Sequence, residues 1–229
     1  MKILLVNPNS TVSMTENAAI VARQVARPDT RIVATNPTTG PASIQGYHDV
    51  AMCIPGFLEQ IAQHPDVDAV VIACFDDTGL DAARCQVDVP VIGIGEAAFH
   101  AASMLSCRFS VITTLNRSVP GIEANLVRYG LVARCAGVRG TQIPVLDLEE
   151  NDSAVFQRLS NEVHRALEED GAEAIVLGCA GMADLVERLS DVFDVPIIDG
   201  IACATTFAEA LAATGLKTSK LGGYANPVR

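Results

Sequence analysis

Two cysteines end strand-like runs in the same way, in "VVIACFDDTGL" at residues 70–80 and "IVLGCAGMADL" at residues 175–185. A thiolate on one face of an acidic C–H and a thiol on the opposite face suffice to invert a stereocentre. One removes the proton, the other delivers one, and turnover exchanges their roles. Free cysteine has a pKa of about 8.5, and a helix N-terminus lowers it. The helix-forming stretches "FDDTGLDAAR" and "AGMADLVERL" behind Cys74 and Cys179 suit that task. Gly79 and Gly181 loosen the two turns, so backbone N–H groups can point at a bound carbonyl and stabilise an enolate. A single cysteine ending a strand is ordinarily a packing residue; the matched pair is what points to chemistry. Cys53, Cys85, Cys107, Cys135 and Cys203 lack such counterparts and read as structural.

The elements that must carry this pair alternate between strand and helix, the pattern of an α/β fold. Strands read at 3–6, 31–34, 69–73, 91–94, 109–112, 175–177 and 196–198, with helices at 16–26, 50–63, 96–105, 122–129, 154–170 and 183–189. Continuous apolar strands joined by helices imply parallel sheets covered on both faces. The sequence also repeats. "KILLVNPNST" answers "RFSVITTLNRS", and 67 residues separate Asn7 from Cys74 where 66 separate Thr113 from Cys179. "VDVPVIGIGEAA" then answers "FDVPIIDGIACA", with Pro90 16 residues beyond Cys74 and Pro196 17 beyond Cys179. The expectation is two similar parallel-sheet halves about a pseudo-twofold axis. Ligands of open parallel sheets sit at the carboxyl ends of the strands, so both cysteines would meet in the cleft between the halves.

Composition narrows the partners. The 229 residues carry a formal net charge of −11, which argues against nucleic acid or an anionic membrane surface. No secretory signal or membrane-length apolar run is visible, and the expected location is the cytoplasm, where thiols stay reduced. Seven cysteines with no C-x-x-C and four scattered histidines fit neither a disulfide framework nor a metal site. "GIGEAA", residues 93–98, matches a dinucleotide fingerprint, but the next strand ends in Thr113 and Thr114 where an acidic residue is wanted. No cofactor is expected.

Around the cysteines, Asn7 at its strand end is placed either to hydrogen-bond a ligand or to form a turn. Thr113 and Thr114 occupy the same place in the second half, for a polar ligand or for a cap on the helix behind "NRSV". Ser13 and Glu16 in "SMTE" read as a capping box. The Gly/Pro/Ser-rich stretch at 38–49 is either a cover for the cleft or a plain loop.

"VNPNST", "VIACFDDTGLDAAR", "PVIGIGEAAFHAAS", "RFSVITTLNRSV", "AIVLGCAGMADL" and the tail "GLKTSKLGGYANP" together resemble the hydantoin racemase family of the aspartate/glutamate racemase superfamily, nearly end to end. The resemblance implies a cofactor-independent racemase acting at C5 of a 5-substituted hydantoin, with allantoin the close alternative. It makes Cys74 and Cys179 the acid/base pair and puts Asn7, Ser43, Phe75, Asp76, Thr113, Thr114, Ala180 and Gly181 around a small hydantoin-type ring. It also implies a homo-oligomer, a first half of residues 1–97 plus 205–229, and a second half of 98–204. The chain departs from the "CFGDPG" associated with that family: Asp76 stands for a glycine and Thr78 for a proline. A carboxylate at Asp76 can accept ring or ureido N–H groups, and it raises the pKa of a neighbouring thiol. Two rival functions remain. An amino-acid racemase needs a cationic clamp for an α-carboxylate, and Arg84 lies close enough in sequence to Cys74 to keep that reading open. A small-molecule-binding protein would keep its affinity without the thiols.

Overall fold

The computed structural model describes residues 1–150 and 153–228. In chain order it contains β1 (Lys2–Val6), α1 (Val12–Val25), β2 (Arg31–Thr35), α2 (Tyr47–Ala62), β3 (Ala69–Ile72), α3 (Leu80–Gln86), β4 (Val91–Gly93) and α4 (Ile94–Leu105). There follow β5 (Phe109–Thr113), α5 (Val119–Arg128), β6 (Cys135–Gly140), α6 (Ser153–Glu169), β7 (Ala174–Leu177), α7 (Val186–Ser190), β8 (Ile197–Asp199) and α8 (Gly200–Ala213). Two four-stranded sheets form, ordered β2-β1-β3-β4 and β6-β5-β7-β8, with every pairing parallel. The same order in both halves is the repeat seen in the sequence. The central strands β3, β5 and β7 are buried at every residue, which is why they read as unbroken apolar runs.

α4 and α8 fill the space between the sheets. Their facing sides are small, with Ala97, Ala98, Ala101 and Ala102 on one and Ala204 and Ala208 on the other. Close approach follows: a Cβ on Gly200 would lie 2.6 Å from the Ile94 carbonyl oxygen, so the two helices begin against each other. One apolar cluster runs through this layer from Ile3, Leu5 and Val71 to Phe109, Val111 and Val176. Phe99 lies at its centre, stacked on Phe109 at 6.1 Å and edge-on to Phe75 at 5.3 Å. Each half therefore shares its core with the other, and the strand ends that carry the cysteines are held as one unit.

Two local expectations are corrected. β6 is a strand that the sequence pattern does not reveal. "CAGVRG" has almost no β-branched character, and every residue of it is half-exposed because β6 is an edge strand. It is held by Arg139, whose guanidinium grips Asp170 and Glu169 at the end of α6. The capping box at Ser13 and Glu16 does not form. α1 starts earlier, with Thr11 at its N-cap and Ser13 exposed within its first turn. The turn before it is instead closed by Asn9, whose Oδ1 accepts the Thr11 N–H at 2.9 Å. Among the described residues no helix is long and apolar enough to cross a membrane.

Candidate active site

Cys74 and Cys179 line one cavity at the carboxyl ends of β3 and β7, together with Asn9, Met14, Ile44, Phe75, Asp76, Thr113, Thr114, Ser118, Val145 and Ala180. Strand geometry puts them there. Ala73 N–H still bonds the Val6 carbonyl at 2.8 Å, so Cys74 is the first residue to leave the sheet. Gly178 N–H bonds the Ile112 carbonyl at 2.7 Å, and Cys179 follows in the same way. The cavity is small, about 30 Å³, and opens to the surface. Ile44 closes it from the segment between β2 and α2, and Val145 from the segment between β6 and α6. These segments occupy equivalent places in the two halves.

Each sulfur accepts a backbone N–H from two residues onward, Asp76 for Cys74 and Gly181 for Cys179. Cys74 Sγ also lies 3.4 Å from the Thr78 hydroxyl. Lowered thiol pKa values are not what the structure holds. Burial pushes Cys179 up to about 11, with the Gly181 N–H pulling it down and Asp76 adding a small upward push. Cys74 lies higher still, raised first by burial and then by the Asp76 carboxylate, against the pull of the Thr78 hydroxyl. Desolvation outweighs the turn amides because both sulfurs are buried. At rest the pair is a dithiol.

The remaining residues singled out in the sequence divide. Thr113 and Thr114 line the cavity. The Thr113 hydroxyl donates to the Gly178 carbonyl at 2.9 Å and so ties β5 to the cysteine turn. Phe75 and Ala180 form wall, the Phe75 ring being held against Phe99. Asn7 is not at the cavity. Its amide is spent on Asn9 Oδ1 at 2.9 Å and Thr15 Oγ1 at 3.0 Å, so it serves as the turn-former, and Asn9 takes the place at the wall. Ser43 is likewise occupied, its Oγ accepting from Gln45 Nε2 at 2.7 Å, and Ile44 beside it reaches the cavity instead. Gly181 acts through its N–H on Cys179 rather than as wall. Gly79 has φ +74° and sits where a Cβ would meet the Phe57 ring at 2.8 Å, so its need is steric and away from the thiols.

Sequence reasoning passed over Asn9, Met14, Ile44, Ser118 and Val145. Asn9 and Ser118 had a signal, lying in "NPNST" and "NRSV"; Ser118 is the N-cap of α5 but makes no side-chain cap bond. The "GIGEAA" segment has a different use. Gly95 and Glu96 N–H groups donate to the Asp77 carboxylate at 2.9 and 2.8 Å, and Tyr129 O–H adds a third bond at 2.7 Å. A Cβ on Gly93 would lie 2.1 Å from Asp77 Oδ1. The place a nucleotide phosphate would need is filled by a carboxylate of the chain itself. Arg84 is bound to Glu96 and to the Val91 carbonyl, away from the cavity. Among the described residues, none of those lining the thiol cavity is Lys, Arg or His.

Residues 3–208 match the family model described as Asp/Glu/Hydantoin racemase. The hydantoin racemase of Rhizobium meliloti is 52% identical over 229 residues, covering 99% of this chain and 95% of the relative. That of Paenarthrobacter aurescens is 39% identical over 99% of this chain and 98% of the relative. Among solved structures, the allantoin racemase from Klebsiella pneumoniae superposes with a TM-score of 0.96 at 43% identity, covering 100% of this chain and 94% of the other. The glutamate racemase from Campylobacter jejuni, at 19% identity and a TM-score of 0.65 over 92% and 85%, shares the fold. By the family model and by these relatives, the chain belongs to the Asp/Glu/hydantoin racemase family and is a racemase.

Proposed function

We propose that the protein is a cofactor-independent racemase that inverts C5 of a 5-substituted hydantoin by proton transfer between Cys74 and Cys179. The observation that carries this reading is the two sulfurs lining one cavity from opposite halves, each holding a backbone N–H. One thiol of the resting pair first gives its proton to solvent; the thiolate so formed removes the C5 proton and leaves an enolate on the ring, and the other thiol delivers a proton to the opposite face. The hydrogen count is unchanged and the enzyme is left with the roles reversed. The substrate ring is neutral, which suits a cavity whose described lining has no cation; an α-carboxylate would lack its counter-charge there. The relatives named hydantoin racemase support the substrate class, and the structural neighbours named allantoin racemase support the same ring with a ureido substituent.

The test uses enantiopure 5-benzylhydantoin and (S)-allantoin in D2O, following circular dichroism and deuterium at C5. The wild type should lose optical signal and gain one deuterium per inversion. Cys74→Ser and Cys179→Ser should each lose inversion. Each should retain slow exchange of only one enantiomer, opposite in the two variants, because the remaining thiol faces one side of the ring. Inversion that survives either substitution refutes the two-thiol mechanism. Loss of neither optical signal with the wild type refutes the substrate class.

A further inference from the structure

Asp76 is partly buried, and among the described residues no hydrogen-bond donor or cation is paired with its carboxylate. Desolvation alone moves its pKa up to about 6. A carboxylate left unpaired near two thiols is a cost to both, since its charge raises Cys74 and Cys179 alike. Its position shows what that cost is for. Asp76 and Ser118 form the wall common to the thiol cavity and an adjoining chamber of about 160 Å³. Tyr47, Val50, Arg117 and Asn125 line the rest of that chamber. The Arg117 side chain lies over Gly46, where a Cβ would come within 3.2 Å of Nε, and no carboxylate among the described residues pairs with it. Asn125 is already committed, its Nδ2 donating to the Asp76 carbonyl oxygen at 2.9 Å and holding that residue's backbone at the wall.

We infer that Asp76 and Arg117 form a two-ended recognition site for the C5 substituent, the carboxylate accepting N–H groups and the guanidinium donating to a carbonyl. The inference rests on the racemase reading above and adds the substituent class to it. An acceptor and a donor on one small chamber match a urea-type group, which carries N–H and C=O together. An aryl or alkyl substituent would leave both ends desolvated and unmatched, and a site built for hydrogen bonds rejects an analogue that cannot make them far more strongly than an apolar pocket rejects a size change. A carboxylate substituent would meet Asp76 as a like charge.

The experiment measures kcat/KM for (S)-allantoin and (S)-5-benzylhydantoin with the wild type, Asp76→Gly, Asp76→Asn and Arg117→Ala, each checked for an unchanged thermal transition. The wild type should prefer the ureido substrate. Asp76→Gly should reduce the allantoin-to-benzyl ratio by about 10-fold or more, the size of a lost charge-assisted hydrogen bond. Asp76→Asn keeps one acceptor oxygen and should give a smaller reduction. Arg117→Ala should lower the ratio through the allantoin KM. A ratio within twofold of the wild type in both Asp76 variants overturns the recognition site while leaving the racemase reading intact. Failure of the wild type to racemise either compound overturns both.

Discussion

Replacing Asp77 by Ala tests how the cysteine turn is anchored. The Asp77 carboxylate is 4% exposed and accepts the Gly95 and Glu96 N–H groups and the Tyr129 hydroxyl at 2.7–2.9 Å. Its own N–H closes the turn onto the Cys74 carbonyl at 3.0 Å, with φ at +50°. Alanine would orphan three donors, each costing about 1–3 kcal/mol when left unpaired. Water entering the vacated space recovers part of this, so a net loss of about 3 kcal/mol is expected at pH 6. The same group imposes a pH slope. Burial raises its pKa from 3.8 to about 7 despite the three bonds. A raised carboxyl pKa means the native state holds the proton more tightly than the unfolded chain. The stability it contributes is therefore complete below about pH 4 and lost as pH rises through about 7. Urea unfolding followed by far-ultraviolet circular dichroism at pH 4.5, 6 and 8 reads both effects. The wild type should lose stability relative to Asp77→Asn across that range, at about 1.4 kcal/mol per unit of pKa difference. Unfolding of Asp77→Ala within about 1 kcal/mol of the wild type would refute the anchoring role, and parallel pH slopes for wild type and Asp77→Asn would refute the burial argument.

Three further outcomes are expected. Alkylation of Cys179 by iodoacetamide, mapped by peptide mass spectrometry, should quicken about tenfold per pH unit between 7 and 10. It should outpace Cys74 throughout, since Cys179 titrates near 11 and Cys74 above it; Asp76→Asn should narrow the gap, and a plateau already at pH 8 would contradict it. Gly93→Ala should lower the unfolding free energy by about 2–4 kcal/mol, because the new Cβ meets the Asp77 carboxylate at 2.1 Å; a neutral effect in urea unfolding would show that the carboxylate moves freely. Ser160→Ala in α6 should be neutral or stabilising by up to about 1 kcal/mol, since its buried hydroxyl has no partner among the described residues, and the urea midpoint reads it directly.

What was legible in the sequence was set by local pattern. Parallel strands buried on both faces show as runs such as "AVVIAC" and "AIVLGC", and a duplication shows as equal spacings, so both sheets and the cysteine pair could be read without coordinates. β6 could not, because a half-exposed edge strand carries no apolar run and the contact that holds it, Arg139 to Asp170, joins residues far apart in the chain. The wall residues were missed by one or two positions, Asn9 for Asn7 and Ile44 for Ser43, since which side chain of a loop faces inward is decided by the bonds its neighbours make. The direction of the thiol pKa shift was invisible for a similar reason. A helix start is a local feature, whereas desolvation comes from Met14, Ile44 and Val145, far apart in the chain.

The two halves meet the same electrostatic need in different ways, and the difference bears on the cysteines. Both α4 and α8 begin at the inner ends of β4 and β8 and need an acceptor for their first N–H groups. In the second half Asp199, at the N-cap itself, accepts from Ala202 N–H at 2.7 Å. The equivalent position in the first half is Gly93, and the acceptor is Asp77, brought from the cysteine turn. The Cys74 turn is thereby tied to α4 and, through Tyr129, to the residue after α5. The short 3-10 segment behind Cys179, residues 180–185, packs against α8 and against the segment that carries Val145. The Asp77 bonds stiffen the Cys74 turn by a different route, through the start of α4. Hydrogen exchange at the amides of residues 75–78 should then be slow in the wild type and quicken in Asp77→Ala. Unchanged exchange in the variant would mean that the Asp77 tether does not stiffen the Cys74 turn.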